Sequence, residues 1–181
     1  MRLTPLALEG SFSCSMEAAQ DNRGSFGRLF CAGIFGEAGL ETQWVQTNLS
    51  RTGRKGTIRG MHFQTPPFVD AKLLVCLSGR IFDVLLDLRQ GSASFGTWIS
   101  VELDGSRGDG VYIPAGIAHG FQALSDDVML HYSHSRPYSP AHQGGINYAD
   151  PAVGIDWPLP VADLSGRDAN LPFLKDFKEV L

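Results

Sequence analysis

A chain of 181 residues with 43% hydrophobic side chains can bury a sizeable core, and its length fits one domain, residues 1–181. Its formal charge of −4 argues against nucleic acid or an anionic membrane surface as the main partner. No apolar run approaches the roughly 18 residues of a membrane span, and the N-terminus has no basic stretch leading into an apolar one. With three cysteines that lack CXXC spacing, the expectation is a cytoplasmic protein whose Cys14, Cys31 and Cys76 are reduced thiols serving as small buried apolar side chains.

In chain order, Leu3–Leu8 predicts a first strand, Asp21-Asn22-Arg23-Gly24 a turn, and Ser25–Cys31 the next strand of a hairpin or meander. Gly36–Gly39 predicts another turn, and Gln43–Leu49 alternates as a strand does. From Gly56 to Ser135, apolar strands alternate with turns rich in Gly, Ser and Asp: Ala71–Leu77, Arg80–Leu88, Thr97–Leu103, Gly110–Ile113, His119–Ala123 and Val128–Ser135. That cadence predicts an all-β sandwich or barrel. Pro137–Trp157 reads as a long ordered loop. Helix signals are weak until Asp168-Ala169-Asn170-Leu171-Pro172, where Asp168 has the chemistry of an N-cap for a short helix reaching Phe177. The chain has neither an internal repeat nor a low-complexity tract.

Two stretches, GTIRGMHFQTPPFVDAKLLVCLSG from Gly56 and GDGVYIPAGIAHGF from Gly108, each carry one histidine at a defined offset from glycines. As paired strands they place His62 and His119 on facing walls of one pocket. The spacing resembles that of the cupin barrel, whose metal-binding members follow G(X)5HXH(X)3-4E(X)6G and G(X)5PXG(X)2H(X)3N. Gly56 and His62 fit the opening of the first pattern; Gly108, Pro114, Gly116 and His119 fit the second. Gln64 stands where the first pattern has its second histidine. Lys72, separated from Gly79 by six residues, stands where it has its glutamate, after a gap longer than the pattern allows. A divalent ion wants neutral imidazoles and carboxylates around it, and an ammonium group repels it. No metal is therefore expected. A lysine in that place stabilises an oxyanion directly, the role a Lewis acid otherwise takes.

A closer match follows from DNRGSF, QTNLS, KGTIRGMHFQ, IFDVLLDLRQGSASFGTW, IPAGIAHGF, the Tyr132 strand, INYADPAVGIDWP and LSGRDANLPFL. Their order resembles that of the dTDP-4-dehydrorhamnose 3,5-epimerase family across most of the chain. The resemblance implies a cupin-type jelly-roll barrel with a few short C-terminal helices. It implies epimerisation at C3 and/or C5 of a nucleotide-linked 4-keto-6-deoxy sugar in deoxysugar biosynthesis, without a cofactor. His62 falls at the family's general base, work that suits an imidazole with a pKa near neutrality. Asp168 falls at the carboxylate that orients this base, and Lys72 at the cation that stabilises the enolate. Tyr132 falls at the donor that returns a proton to the opposite ring face, since reprotonation from the base's side restores the starting isomer. Arg59 and His119 match residues of the sugar and diphosphate region. Gln46 and Asn48 match polar contacts to the nucleotide, Tyr138 is placed to cover the base, and Phe26 is a further substrate-binding position. Arg23 matches a contact made from the partner subunit of a homodimer with exchanged N-terminal strands.

Local sequence also offers plainer roles. Tyr132 suits an inward strand aromatic that packs, His119 a structural residue bonded to Asp83, Gln46 and Asn48 strand or turn polars, and Arg23 a turn residue. His131, His134 and His142 receive no role and are expected to be solvated or locally bonded. The chain departs from the family pattern at Arg28, where a glutamate is usual, at Thr47, where an aspartate is common, and at SHSRPY after Tyr132. Arg28 keeps open a CDP-linked 4-keto-6-deoxyglucose 3-epimerase. Other classes open at this stage are a 3,4-ketoisomerase, a non-catalytic sugar-binding cupin and a metal-dependent dioxygenase; Lys72 and Gln64 make the last the weakest.

Overall fold

Strands that read as unbroken apolar runs need cover on both faces, and here they pair into two antiparallel sheets. In the computed structural model, which describes residues 1–178 and 181, one sheet takes the order β1 (Arg2–Pro5), β2 (Phe12–Ser15), β10 (Gly110–Ile113), β7 (Lys72–Ser78), β12 (Val128–His134), β5 (Gln46–Thr52). The other takes the order β13 (Gln143–Gly145), β6 (Ile58–Gln64), β11 (Ile117–Ala123), β8 (Arg80–Asp87), β9 (Trp98–Asp104). A separate hairpin joins β3 (Ala18–Asp21) to β4 (Gly24–Gly27). This is the expected all-β jelly roll.

β7 shows why the core sits where it does. Its Leu73-Leu74-Val75-Cys76 run has no polar break because both faces are buried. Leu74 and Cys76 turn inward and meet Ile81, Leu85, Phe121 and Leu130 between the sheets. Leu73 and Val75 turn outward, under Phe35 of helix α1 (Ala32–Glu37), Tyr112 and Trp44. The outer face of the second sheet is covered in the same way, with Met61, Val84 and Leu86 packed under Ile146, Trp157, Leu174 and Phe177.

The observed bounds depart from expectation mainly near the two ends. The first strand stops at Pro5, which has no N–H to continue the ladder, and Leu8 turns into the core instead. The strand expected to reach Cys31 ends at Gly27. Of the turn expected at Gly36–Gly39, Ala38 and Gly39 form a turn as expected, while Gly36 and Glu37 are the last residues of α1, which has no side-chain cap at Cys31 and is held by the burial of Phe35. Cys31 is half-exposed, whereas Cys14 and Cys76 are buried as expected. The strand expected over Gln43–Leu49 runs over Gln46–Thr52, in the frame set by pairing Gln46 with His134 and Thr52 with Val128. The loop expected over Pro137–Trp157 contains β13, which pairs with β6. At the C-terminal end, helix α2 (Gly166–Ala169) is a single turn whose N-cap is Ser165, so Asp168 is not the cap. Pro172 follows α2, and the chain makes a separate 3₁₀ turn at Leu174–Asp176 instead of one helix to Phe177.

An irregularity in β6 positions the site. His62 pairs with His119 and Arg59 with Phe121, so β6 carries one residue more than β11 between these pairs. That extra residue interrupts the ordinary alternation and lets Arg59 and His62 share the inner face. Gly60 lies in the irregularity at φ 129°. A Cβ there would collide with the Gly120 backbone and lie 2.9 Å from the His119 carbonyl oxygen. Gly60→Ala is expected to destabilise the protein by about 2–4 kcal/mol, read from the urea midpoint at unchanged slope. A loss below about 0.5 kcal/mol would show that the two strands separate easily there.

Candidate active site

Between the sheets the apolar filling stops partway along each strand. The inward series is Cys76, Leu74, Lys72 on β7 and Leu130, Tyr132, His134 on β12, while Phe121 gives way to His119 on β11. Beyond the apolar members the space opens into a cavity of about 660 Å³, a volume suited to a small-molecule ligand.

His62 and Asp168 form a pair at its wall. Asp168 Oδ1 lies 2.8 Å from His62 Nε2, and its Oδ2 accepts the Gly60 N–H at 3.1 Å. Ser165 Oγ accepts the Asp168 N–H at 3.0 Å, which fixes the turn that carries the carboxylate. Burial pushes the Asp168 carboxyl up, but the bonds from His62, Gly60 and Ser165 outweigh it and hold the pKa below its ordinary value. An anionic acceptor at Nε2 selects the tautomer with its proton there. The Nδ1 lone pair of His62 is then free to take a proton.

His119 does not face His62. The two stand side by side on neighbouring strands of one sheet, because cross-strand partners share a face. His119 Nε2 lies 2.6 Å from Asp83 Oδ1, so the residue both lines the cavity and makes the structural bond expected of it. Asp83 is fully buried and, among the described residues, its Oδ2 has no hydrogen-bond partner. Burial raises its pKa against the opposing influence of His119 and Lys72.

The facing wall carries Tyr132 and Lys72. The Tyr132 ring stands edge-on to His119 at 5.9 Å and nearly parallel to His134 at 6.0 Å. Burial, then the charge of Asp83, pushes the phenol well above its ordinary pKa, with Arg59 opposing. Tyr132 therefore stays protonated at neutral pH and keeps a proton to give. Lys72 is 7% exposed, and its Nζ donates to the His62 carbonyl oxygen at 3.4 Å. An ammonium group in that place does not fit the ligand set of a metal-binding cupin. Among the described residues no three His, Cys, Asp or Glu side chains converge as ligands.

The remaining expected residues divide into two groups. Arg59, Gln46, Asn48 and Tyr138 all line the cavity. Arg59 donates to Thr52 Oγ1 and to the Arg51 carbonyl oxygen, each at 3.0 Å, and Gln46 Oε1 accepts the Tyr138 N–H at 2.8 Å. Arg23 and Phe26 are not brought to the cavity: Arg23 is ion-paired with Asp21 on the separate hairpin, and Phe26 is 84% exposed. Asp70, His134, Asp163, Ser165 and Arg167 line the cavity without having been singled out from sequence. For His134 a signal was present, since it stands two residues beyond Tyr132 on the same strand face. His142 is locally bonded, as expected, with Nδ1 2.7 Å from Ser139 Oγ. His131 differs from expectation: its Nδ1 is buried and, among the described residues, has no hydrogen-bond partner.

Residues 5–176 match the sequence profile of the dTDP-4-dehydrorhamnose 3,5-epimerase family. The chain belongs to this family. It is 41% identical over 155 residues to the dTDP-4-dehydrorhamnose 3,5-epimerase of Sinorhizobium fredii, covering 85% of this chain and 80% of the relative. It is 39% identical over 180 residues to the dTDP-4-dehydrorhamnose 3-epimerase of Streptomyces niveus, covering 99% and 86% respectively. Among solved structures it is similar to NovW, a 4-keto-6-deoxy sugar epimerase of Streptomyces spheroides. That match has a TM-score of 0.92 at 40% identity and covers 97% of this chain and 88% of the other. The protein is thus an isomerase of the epimerase type, built on the cupin-type jelly roll of its family. Among its described residues no helix is long and apolar enough to cross a membrane.

The lowered pKa of Asp168 has a consequence for stability. An unfolded aspartate titrates at about 4; above that value the stabilisation from the pair is fully present, and it is lost as pH falls through the lower folded value. Asp168→Asn is expected to unfold at lower urea than wild type at about pH 6, with the gap closing towards about pH 3. A gap that stays constant would show that folding does not favour the ionised carboxylate.

Proposed function

We propose that this member of the family inverts C3, C5 or both of a dTDP-linked 4-keto-6-deoxy sugar by proton transfer between His62, the sugar and Tyr132. The observation that carries the reading is the placement of His62 and Tyr132 on different sheets, with one cavity between them. The 4-keto group acidifies the neighbouring C–H bonds. His62 removes one of these protons through Nδ1, and the Asp168 carboxylate stabilises the imidazolium that forms. Lys72, itself buried, supplies positive charge to the enolate oxygen, and a charge held out of water acts more strongly than one at the surface. Tyr132 gives its phenolic proton to the other ring face. The imidazolium then releases a proton to solvent and the tyrosinate takes one up, which restores the starting state.

In this reading Arg59 and His119 contact the sugar and diphosphate, Gln46 and Asn48 contact the nucleotide, and Tyr138 covers the base. The hairpin of β3 and β4 pairs with neither main sheet and presents Arg23 and Phe26 outward. These features support a homodimer in which that hairpin reaches the partner's cavity. Three free cysteines support a reducing, cytoplasmic setting. The relatives favour dTDP, whereas Arg28 is exposed and outside the cavity, so a CDP-linked sugar is the comparison to run.

Incubation with dTDP- and CDP-4-keto-6-deoxyglucose in deuterated water, read by mass spectrometry and NMR, tests the proposal. Wild type is expected to incorporate deuterium next to the ketone and to invert the dTDP-linked sugar. His62→Ala is expected to lower exchange by at least about 100-fold, within the range for general acid–base catalysis. Tyr132→Phe is expected to keep some exchange and lose most inversion. Exchange at the wild-type rate in His62→Ala would overturn the assignment of the base, and preference for the CDP-linked sugar would overturn the nucleotide.

A further inference from the structure

Asp70 and His134 have no part in the mechanism above, yet they form a third imidazole–carboxylate contact, this one on the wall opposite His62. Asp70, just ahead of β7, is 5% exposed, and its Oδ2 lies 2.8 Å from His134 Nδ1. Burial pushes the Asp70 carboxyl up, but Lys72 and His134 outweigh that and hold it below its ordinary value, so it is an anion. His134 pairs across the sheet with Lys72 on one side and Gln46 on the other. It therefore stands in the row between the ammonium group and a proposed nucleotide contact. Two residues back on the same face is Tyr132, its ring 10° from parallel with that of His134.

The phenol depends on its neighbours for orientation. Among the described residues no hydrogen bond to the Tyr132 hydroxyl is present, so packing sets the angle of the ring. Two imidazoles frame it, His119 edge-on and His134 alongside. Each of them is tied to a buried carboxylate, His119 to Asp83 and His134 to Asp70. An imidazole released from its carboxylate can change rotamer, and the phenol, whose ring also packs on the apolar core, then loses a lateral support.

We propose that Asp70 and His134 are positioning residues for Tyr132: their contact holds the phenol at the angle that delivers its proton to the sugar face away from His62. This rests on the reading under Proposed function and assigns the pair to stereochemical outcome, separate from proton abstraction. In the abstraction step the C–H electron pair enters the enolate and the proton goes to His62. Inversion then forms a C–H bond with the phenolic proton and leaves a tyrosinate. If the phenol is misplaced, the enolate takes a proton back from the imidazolium instead. In deuterated water the His62 imidazolium exchanges its N–H proton for a deuteron from solvent before the return, so the same-face return gives an exchanged but uninverted sugar.

The readout is the ratio of inverted product to deuterium incorporated at the same carbon, measured on the full-length enzyme with dTDP-4-keto-6-deoxyglucose. Asp70→Ala and His134→Ala are each expected to lower this ratio by about tenfold or more, the scale on which a misplaced catalytic group costs rate. If Asp70→Ala does not fold, His134→Ala, at a half-buried position, carries the test alone. Inversion and exchange that fall together, leaving the ratio at its wild-type value, would overturn the proposal and make the contact purely structural. Absence of any exchange in wild type would instead count against the proposed reaction itself.

Discussion

The carboxylate of Asp168 ties together the parts of the chain on which the site depends. It joins residues 106 positions apart, meeting the His62 ring with one oxygen and the Gly60 N–H with the other. At 4% exposure it would be costly as an unpaired charge, and these contacts keep the anion favourable. The same two contacts fix the tautomer of the imidazole and hold the backbone where β6 carries its extra residue. Glycine is required at that point because β11 passes too close for a side chain. The strand irregularity, the single turn of α2 and the imidazole–carboxylate pair thus behave as one unit, and loosening any of them loosens the others.

Three imidazole–carboxylate contacts surround one cavity: His62 with Asp168, His119 with Asp83, and His134 with Asp70. Their environments separate them. Hydrogen-bond donors at Asp168, and the Lys72 charge with His134 at Asp70, outweigh burial and hold both carboxyls below their ordinary value, whereas burial dominates at Asp83 and raises it. The charge of Asp83 also helps to keep the Tyr132 phenol protonated. One wall therefore holds a base with a free lone pair, and the other holds a proton donor beside an ammonium group. Burial of Lys72, Asp168, Asp70 and Asp83 limits the screening of these charges by water, which favours preorganised electrostatics in proton transfer.

Much of this was legible in the sequence, for physical reasons that also mark where legibility stopped. Strands β7, β8, β10 and β11 are largely covered on both faces, and β7 announces itself as the apolar run Leu73-Leu74-Val75-Cys76. The helix α1 is short, uncapped and held by Phe35 packing on the outer sheet, so nothing local in its sequence gives it away. His62 and His119 were expected on facing walls, but pairing register decides which wall a residue joins, and register arises from contacts distant in sequence. The extra residue in β6 is likewise visible only once Arg59 and His62 are both seen to face inward. Asp70 was not singled out, and His134 was expected to be solvated or locally bonded, because neither belongs to a motif with a known role. Their meaning comes from a contact across 64 positions and from the alternation that places His134 beside Tyr132.

The central claim is that a bound keto-sugar lies between an imidazole and a phenol carried by different sheets. A crystal structure of the enzyme with a dTDP-linked hexose tests it most directly. The account predicts the pyranose ring between His62 Nδ1 and the Tyr132 hydroxyl, one group over each face, with the oxygen on C4 turned towards Lys72. A sugar bound outside this cavity, or one approached by both groups from the same face, would contradict it.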